Sequence, residues 1–322
     1  MKKLIVLATL AALPAVALAD VTISGLVGVN VQNVKLGHAG SANDMGSQEG
    51  EIDFAGSEKL GNGLNAIWKY SHQFNTDNRA PADENLETYI GLSGEFGRIQ
   101  LGGTDNAARE ISAVGLADLP TVFGVHKVSG QNAIYKSTRQ RLKDGITYVA
   151  PNFGNLTLAF SHAMKSADNG MGHANNVAAL YAVNDMLTVA YSGNFTKKQV
   201  SGKTDRDQEV NAAAAFGDFG VNLGYAWNKD YSSAVNYEKR RAVAVSGSYT
   251  LGATKLIVGW YKQSDGKKET GARVLDGYKN YSVGVDYSLS KRTNVGVEWA
   301  KADYRGSVAD VRGVASYLYH KF

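Results

Sequence analysis

Tyr317-Leu318-Tyr319-His320-Lys321-Phe322 closes the chain as an alternating, strand-like segment ending on an aromatic residue. A strand at the last residue of a chain still has to satisfy its backbone N–H and C=O groups, which suits a sheet that closes on itself. At the other end, Lys2 and Lys3 precede an apolar stretch from Leu4 to Leu13, and Ala17-Leu18-Ala19 offers a small-x-small cleavage site. That order reads as a secretory signal over residues 1–19, with an exported domain over 20–322. The apolar stretch is short for a membrane anchor, and Pro14 interrupts it. The two ends together predict a β-barrel of a bacterial outer membrane.

Composition agrees. After Asp20 no run approaches the ~20 apolar residues that a membrane helix needs. Without Lys2 and Lys3 the chain carries 32 basic against 30 acidic residues, a near balance that gives no case for nucleic acid as a partner. Cysteine is absent, which excludes disulfides, thiol catalysis and Cys-ligated metals. With 36 glycines, only 4 prolines and tyrosine as the dominant aromatic, the mix suits many twisted strands joined by turns.

The dominant period is two. Val21, Ile23, Val27, Val29 and Val31 alternate with Thr22, Ser24, Gly28, Asn30 and Gln32, and the rhythm returns in 219–227, 281–289 and 293–299. Each stretch runs about ten residues, enough for a tilted strand to cross the hydrocarbon layer. Aromatic residues gather at the segment ends, among them Trp68, Tyr70, Trp227, Trp260, Tyr287 and Trp299, as interfacial girdles would require. Sixteen strands are expected, near 20–33, 50–58, 63–75, 85–94, 96–103, 134–149, 155–164, 176–183, 186–197, 207–216, 219–229, 239–250, 255–264, 278–289, 292–302 and 312–322. Short turns such as Asn184-Asp185, Gly217-Asp218 and Ser290-Lys291 alternate with long polar loops near 34–49, 76–84, 104–133, 165–175, 198–206, 230–238, 265–277 and 303–311. An even strand count with short turns on one rim and long loops on the other is the outer-membrane pattern. The fold class expected is all-β, a 16-stranded antiparallel transmembrane barrel.

Several stretches carry a family resemblance. Asp20-Val21-Thr22 follows the cleavage site. Ile52-Asp53-Phe54-Ala55-Gly56-Ser57-Glu58-Lys59-Leu60-Gly61-Asn62-Gly63-Leu64-Asn65-Ala66-Ile67-Trp68, Tyr89-Ile90-Gly91-Leu92-Ser93-Gly94-Glu95-Phe96-Gly97 and the Leu318-x-His320-Lys321-Phe322 tail complete the set. Together they resemble the general diffusion porins of Gram-negative bacteria, most closely the Neisseria type. The resemblance implies a homotrimer of 16-stranded barrels. It also implies that the third long loop, 104–133, folds into the lumen as a constriction. Ions and small hydrophilic solutes would then pass by diffusion, with no cofactor, in contact with outer-membrane lipid and lipopolysaccharide. Phe322 resembles the signal read by the outer-membrane insertion machinery.

Such a pore does no bond chemistry; width and focused charge set its selectivity. Two unit charges about 10 Å apart interact by only ~0.4 kcal/mol in bulk water, but several-fold more at an effective dielectric of about 20. By parity the basic lining candidates are Lys69, Arg98, Arg139, Arg141 and Lys143, with Leu142, Ile146 and Tyr148 expected on the opposite face. Glu51 and Asp53 are the acidic wall candidates, where relatives often carry lysine. Asp105, Glu110 and Asp118 are the candidates on the constriction loop. Leu101-Gly102-Gly103 replaces a common Leu-Gly-Arg, and Leu86 stands where an arginine is frequent. These departures predict a pore less anion-preferring than its relatives.

Other chemistry is poorly supported. The six histidines show no metal-ligand spacing, and the cluster Asp44, Glu49, Glu51 and Asp53 lacks a regular oxygen-ligand loop. No Gly-x-Ser-x-Gly elbow or nucleotide loop is present. The alternatives are a plugged barrel acting as an adhesin or structural protein, and a solute-selective channel. For a sugar channel, Tyr317 and Tyr319 alone offer too short an aromatic track. Gly25 and Val27 suggest a smooth outward surface for a subunit interface.

Overall fold

The computed structural model describes residues 20–37, 40–77, 84–111, 140–165, 171–198, 201–231, 237–268, 270–306 and 310–322. Among these residues, eighteen strands form one sheet. They are β1 (Asp20–Leu36), β2 (Ser41–Gly61), β3 (Leu64–Gln73), β4 (Glu84–Gly94), β5 (Gly97–Asp105), β6 (Arg141–Val149), β7 (Leu156–Ala163), β8 (Met171–Ala182) and β9 (Leu187–Lys198). The series continues with β10 (Thr204–Phe216), β11 (Phe219–Tyr231), β12 (Tyr237–Leu251), β13 (Thr254–Gln263), β14 (Gly266–Lys268), β15 (Arg273–Leu275), β16 (Tyr278–Ser288), β17 (Thr293–Tyr304) and β18 (Val311–Lys321). A single helical turn, α1 (Ala107–Glu110), follows β5. All strands but β14 and β15 make a closed antiparallel barrel of 16 strands, as the alternation predicts.

Closure is made by the chain ends. β18 pairs with β17 on one side and with β1 on the other, from Leu26↔Lys321 to Leu36↔Val311. The ladder runs to the last residue: the Gly25 N–H donates to the Phe322 carbonyl at 3.1 Å, and the Phe322 N–H donates back at 3.1 Å. The Phe322 ring lies over Gly25. A Cβ on Gly25 would fall 2.6 Å from the ring and against the Glu51 carbonyl. Gly25 is therefore the seat of the terminal aromatic rather than bare interface surface, while Val27 beside it is exposed.

Each strand separates two environments. In β18, Val311, Gly313, Ala315 and Tyr317 are buried while Arg312, Val314, Ser316 and Leu318 are exposed. Carried around the barrel by the register, the exposed set is apolar: Ile90 is 64% exposed, Val258 55% and Val297 53%. The inward set is Asn, Ser, Thr, Ala and charge, including buried Asn176, Ser192, Asn194, Glu209 and Glu298. Apolar outside and polar inside is the arrangement of a barrel solvated by lipid.

The sequence pattern underestimates strand length on the loop side. β1 and β2 pair as far as Lys35↔Ser41, so most of the loop expected at 34–49 is a hairpin. β8 and β10 likewise begin earlier than expected, at Met171 and Thr204. Above the membrane the ladder persists without apolar alternation, which is the only signal that sequence reading had. The loop expected at 265–277 contains the β14–β15 hairpin, and β14 docks on β12 through Glu238↔Lys268 and Lys239↔Lys267. The strand expected from 134 is described only from Arg141.

The seam generates a prediction. Gly25→Val or deletion of Phe322 will lower the amount of folded barrel recovered in outer membranes several-fold, read by heat-modifiable gel mobility. The conductance of each channel that does insert will be unchanged.

Candidate functional site

The inward face of the barrel gathers charge in two places. The first spans β2 to β6. Lys69 donates to Glu87 at 2.6 Å and lies 3.6 Å from Asp53. Ser71 donates to Glu51 at 2.9 Å. Glu51, Asp53, Ser71 and Lys69 share one face because β2 and β3 pair Glu51 with Gln73, Asp53 with Ser71 and Ala55 with Lys69. On β5, Arg98 and Gln100 point the same way, and both reach Glu110: Arg98 in an ion pair, Gln100 at 3.4 Å.

Glu110 is brought there by α1. Asn106 caps the turn, its side chain accepting from the Arg109 N–H at 3.1 Å. The free N–H groups of the turn find partners on the barrel wall. Ala107 donates to Ser161 Oγ at 3.1 Å and Ala108 to Asn176 Oδ1 at 3.0 Å. Ala107, Ala108 and Ile111 pack on Ala159, Ala178 and Ala190, the small inward residues of β7, β8 and β9. The α1 turn thus lies flat against these strands, where alanine leaves room for a backbone. Burial pushes the Glu110 carboxyl above its usual range, with Arg98 opposing the shift and Glu87 adding to it.

Asp105 accepts from Arg109 at 2.7 Å and lies 3.6 Å from Arg141. The parity argument for Arg141 and Lys143 fails locally. The β5–β6 register shifts between Gly102 and Thr104, so Leu142 is buried on the same face as Gly145 and Thr147. Arg141, Lys143 and Asp144 are exposed instead. Arg141 meets the site through Asp105; Lys143 meets no carboxylate among the described residues. Arg139 and Asp118 lie outside the described residues.

The second charged group was not anticipated. Lys198 of β9 sits 2.9 Å from Asp205 and 3.8 Å from Asp230. Asp207 and Glu209 follow on the same face of β10, and Glu238 pairs with Arg240 on β12 at 3.0 Å. The run Asp205-x-Asp207-x-Glu209 carried the signal, but 198–206 reads as a loop when apolar residues alone mark strands. A tyrosine wall was also underestimated. Tyr261, Tyr278 and Tyr304 line the inward face with ring centroids 5.3 and 5.4 Å apart, and Tyr317 stacks on Tyr319 at 6.1 Å. Tyr317 donates to Asp286 at 2.9 Å, and its ring fills the space that a Cβ on Gly296 would need. His320 faces outward and bonds Thr293 at 2.9 Å.

Similarity to known proteins agrees with this geometry. A family profile described as Gram-negative porin matches residues 6–307. The chain belongs to the Gram-negative porin family. This porin is 28% identical to the major outer membrane protein P.IB of Neisseria sicca, the alignment covering 100% of both chains. Among solved structures, the anion-selective porin from Comamonas acidovorans superposes with a TM-score of 0.78 at 19% identity, covering 94% of this chain and 100% of that one. The trimer form of OmpT of Vibrio cholerae superposes with a TM-score of 0.74 at 13% identity, covering 94% and 99%. The porin is an outer-membrane protein whose barrel forms a water-filled diffusion channel, a channel rather than an enzyme.

The Arg98–Glu110 pair gives the second prediction. Because burial raises the Glu110 pKa, acidification neutralises this carboxylate before ordinary ones and leaves Arg98 uncompensated. As pH falls, the reversal potential in a salt gradient will move toward chloride. Glu110→Gln will show that preference already at neutral pH and lose the pH-dependent step.

Proposed function

We propose that this porin is a weakly cation-preferring general diffusion channel that works as a homotrimer. The observation that carries the selectivity is the inward charge inventory. Glu51, Asp53, Glu87, Asp205, Asp207, Glu209, Asp230 and Glu238 outnumber the bases set among them, Lys69, Arg98, Lys198 and Arg240. Inside a low-dielectric wall such charges act over the whole water column and bias passage without binding an ion tightly. In this reading residues 1–19 are removed on export. The loop that begins with α1 narrows the channel, and Arg109, Glu110 and Asp105 present its charge to Arg98 and Arg141. Trimer formation is supported by the trimeric solved relative.

The test is planar-bilayer recording of the purified protein. Conductance should arrive in groups of three steps, and a KCl gradient should give a modest potassium preference. Asp207→Asn combined with Glu238→Gln will shift the reversal potential toward chloride, and Arg141→Glu will shift it toward potassium. A strong chloride preference in the unmodified protein overturns the proposed selectivity. Absence of conductance from folded protein favours the plugged-barrel adhesin.

A further inference from the structure

At the loop end of β7 and β8 the outward face departs from the apolar pattern below it. Toward the turn rim the exposed outward residues are Leu158 and Phe160 on β7 and Tyr181 on β8. Toward the loop rim they give way to His162, Met164 and His173. His162 pairs with Asn175 and Ala163 with Ala174, so Met164 and His173 follow on the two strands just beyond the last pair. The Met164 N–H donates to the Asp144 carbonyl at 2.9 Å, which continues the ladder with β6 through this residue. Residues two apart on a strand share a face, as paired residues do, so His162, Met164, His173 and Asn175 form one outward patch. Met164 is 53% exposed, and His173 is exposed beside it.

Two features of the patch suit a metal ion. The His162 and His173 rings lie with their centroids 6.0 Å apart. Metal–nitrogen bonds of about 2.0–2.1 Å hold the centroids of two ligating imidazoles about 5–6 Å apart. His162 Nδ1 also shares a 2.8 Å hydrogen bond with Asn175 Oδ1. A carboxamide oxygen only accepts, so Nδ1 carries the proton and Nε2 keeps its lone pair. An outer partner of this kind fixes the tautomer and orientation of a ligating histidine. The other described histidines are placed differently: His72 stacks on Tyr70, and His320 bonds Thr293.

The donors decide which ion. Among the described residues no three His, Cys, Asp or Glu side chains converge, so the patch offers neither the oxygen cage of calcium nor a full structural zinc set. The chain has no cysteine, and the next donor on the patch is the Met164 thioether. Thioether sulfur is a soft ligand, carried here on a side chain with three rotatable bonds. Two imidazoles with a thioether suit copper, and the sulfur favours Cu(I). We infer that His162, His173 and Met164 form a copper-binding site on the outer surface of the barrel, with Asn175 as the positioning residue for His162. The site faces away from the water column, so it stands independently of the channel's selectivity.

The experiment is anaerobic titration of Cu(I) into the folded porin in detergent, in competition with a chromogenic Cu(I) chelator. The unmodified porin should take up one equivalent per chain. His162→Gln combined with His173→Gln should abolish that uptake. Met164→Leu should weaken Cu(I) binding at least about tenfold while leaving Cu(II) binding nearly unchanged. Asn175→Leu, which frees His162 Nδ1 from its acceptor, should cost about tenfold. His72→Gln with His320→Gln should bind copper as the unmodified chain does. Failure of the unmodified porin to take up one equivalent overturns the inference, whether or not any variant folds. Undiminished uptake by the folded double-histidine variant overturns it as well, and full displacement of copper by equimolar Zn(II) overturns the assignment of the metal. Channel conductance, recorded in parallel, should be the same with and without copper.

Discussion

A backbone in hydrocarbon has no water to turn to, so every N–H and C=O that crosses the membrane needs a partner within the protein. In this chain that requirement is met by a ladder with no edge, and the seam between β1 and β18 is where it is completed. The last N–H and the last C=O of the chain both bond Gly25. Without that pairing two strands would present open edges to lipid, and the inward arrangement of every other strand would lose its frame. The terminal aromatic, seated on a residue with no side chain, anchors the strand where its pairing ends.

Closure explains how a small set of charges can govern a wide pore. Once the register is fixed, one parity of each strand faces water and the other faces lipid, so charge placed on the inward parity is focused across the channel. The first cluster is built between wall and loop, with Glu110 of α1 set against Arg98 of β5. The second is built from wall residues alone, from Lys198, Asp205, Asp230 and their neighbours. Between them the tyrosine wall over Ala244, Ala300 and Ala302 fills width without adding charge.

The places where sequence reading fell short share a cause. Period-two alternation is a signal of lipid contact, so it reports only the part of a strand that lies in the membrane. Beyond it, Ser41 to Asp44 and Thr204 to Asp207 pair as well as any strand residues but carry no apolar mark. Parity also assumes an uninterrupted ladder. One irregularity between Gly102 and Thr104 was enough to turn Leu142 inward and to expose Lys143 beside Asp144. Lys69, Arg98, Glu51 and Asp53 lie on the inward face because the β2–β3 and β4–β5 ladders run unbroken past them.

By itself the sequence determined an antiparallel 16-stranded barrel, its apolar outer band and the identity of its closing strand. Alternation and turn chemistry are local properties, and local properties survive in a list of residues. Tertiary structure alone decided which charges meet. Glu110 reaches Arg98 because alanines at 159, 178 and 190, from three different strands, leave space for a helical turn on the wall. Asp205 and Asp230 converge on Lys198 because three strands share a register that no one strand encodes. Pairings between distant segments depend on the closure of the whole sheet, which no window of sequence contains.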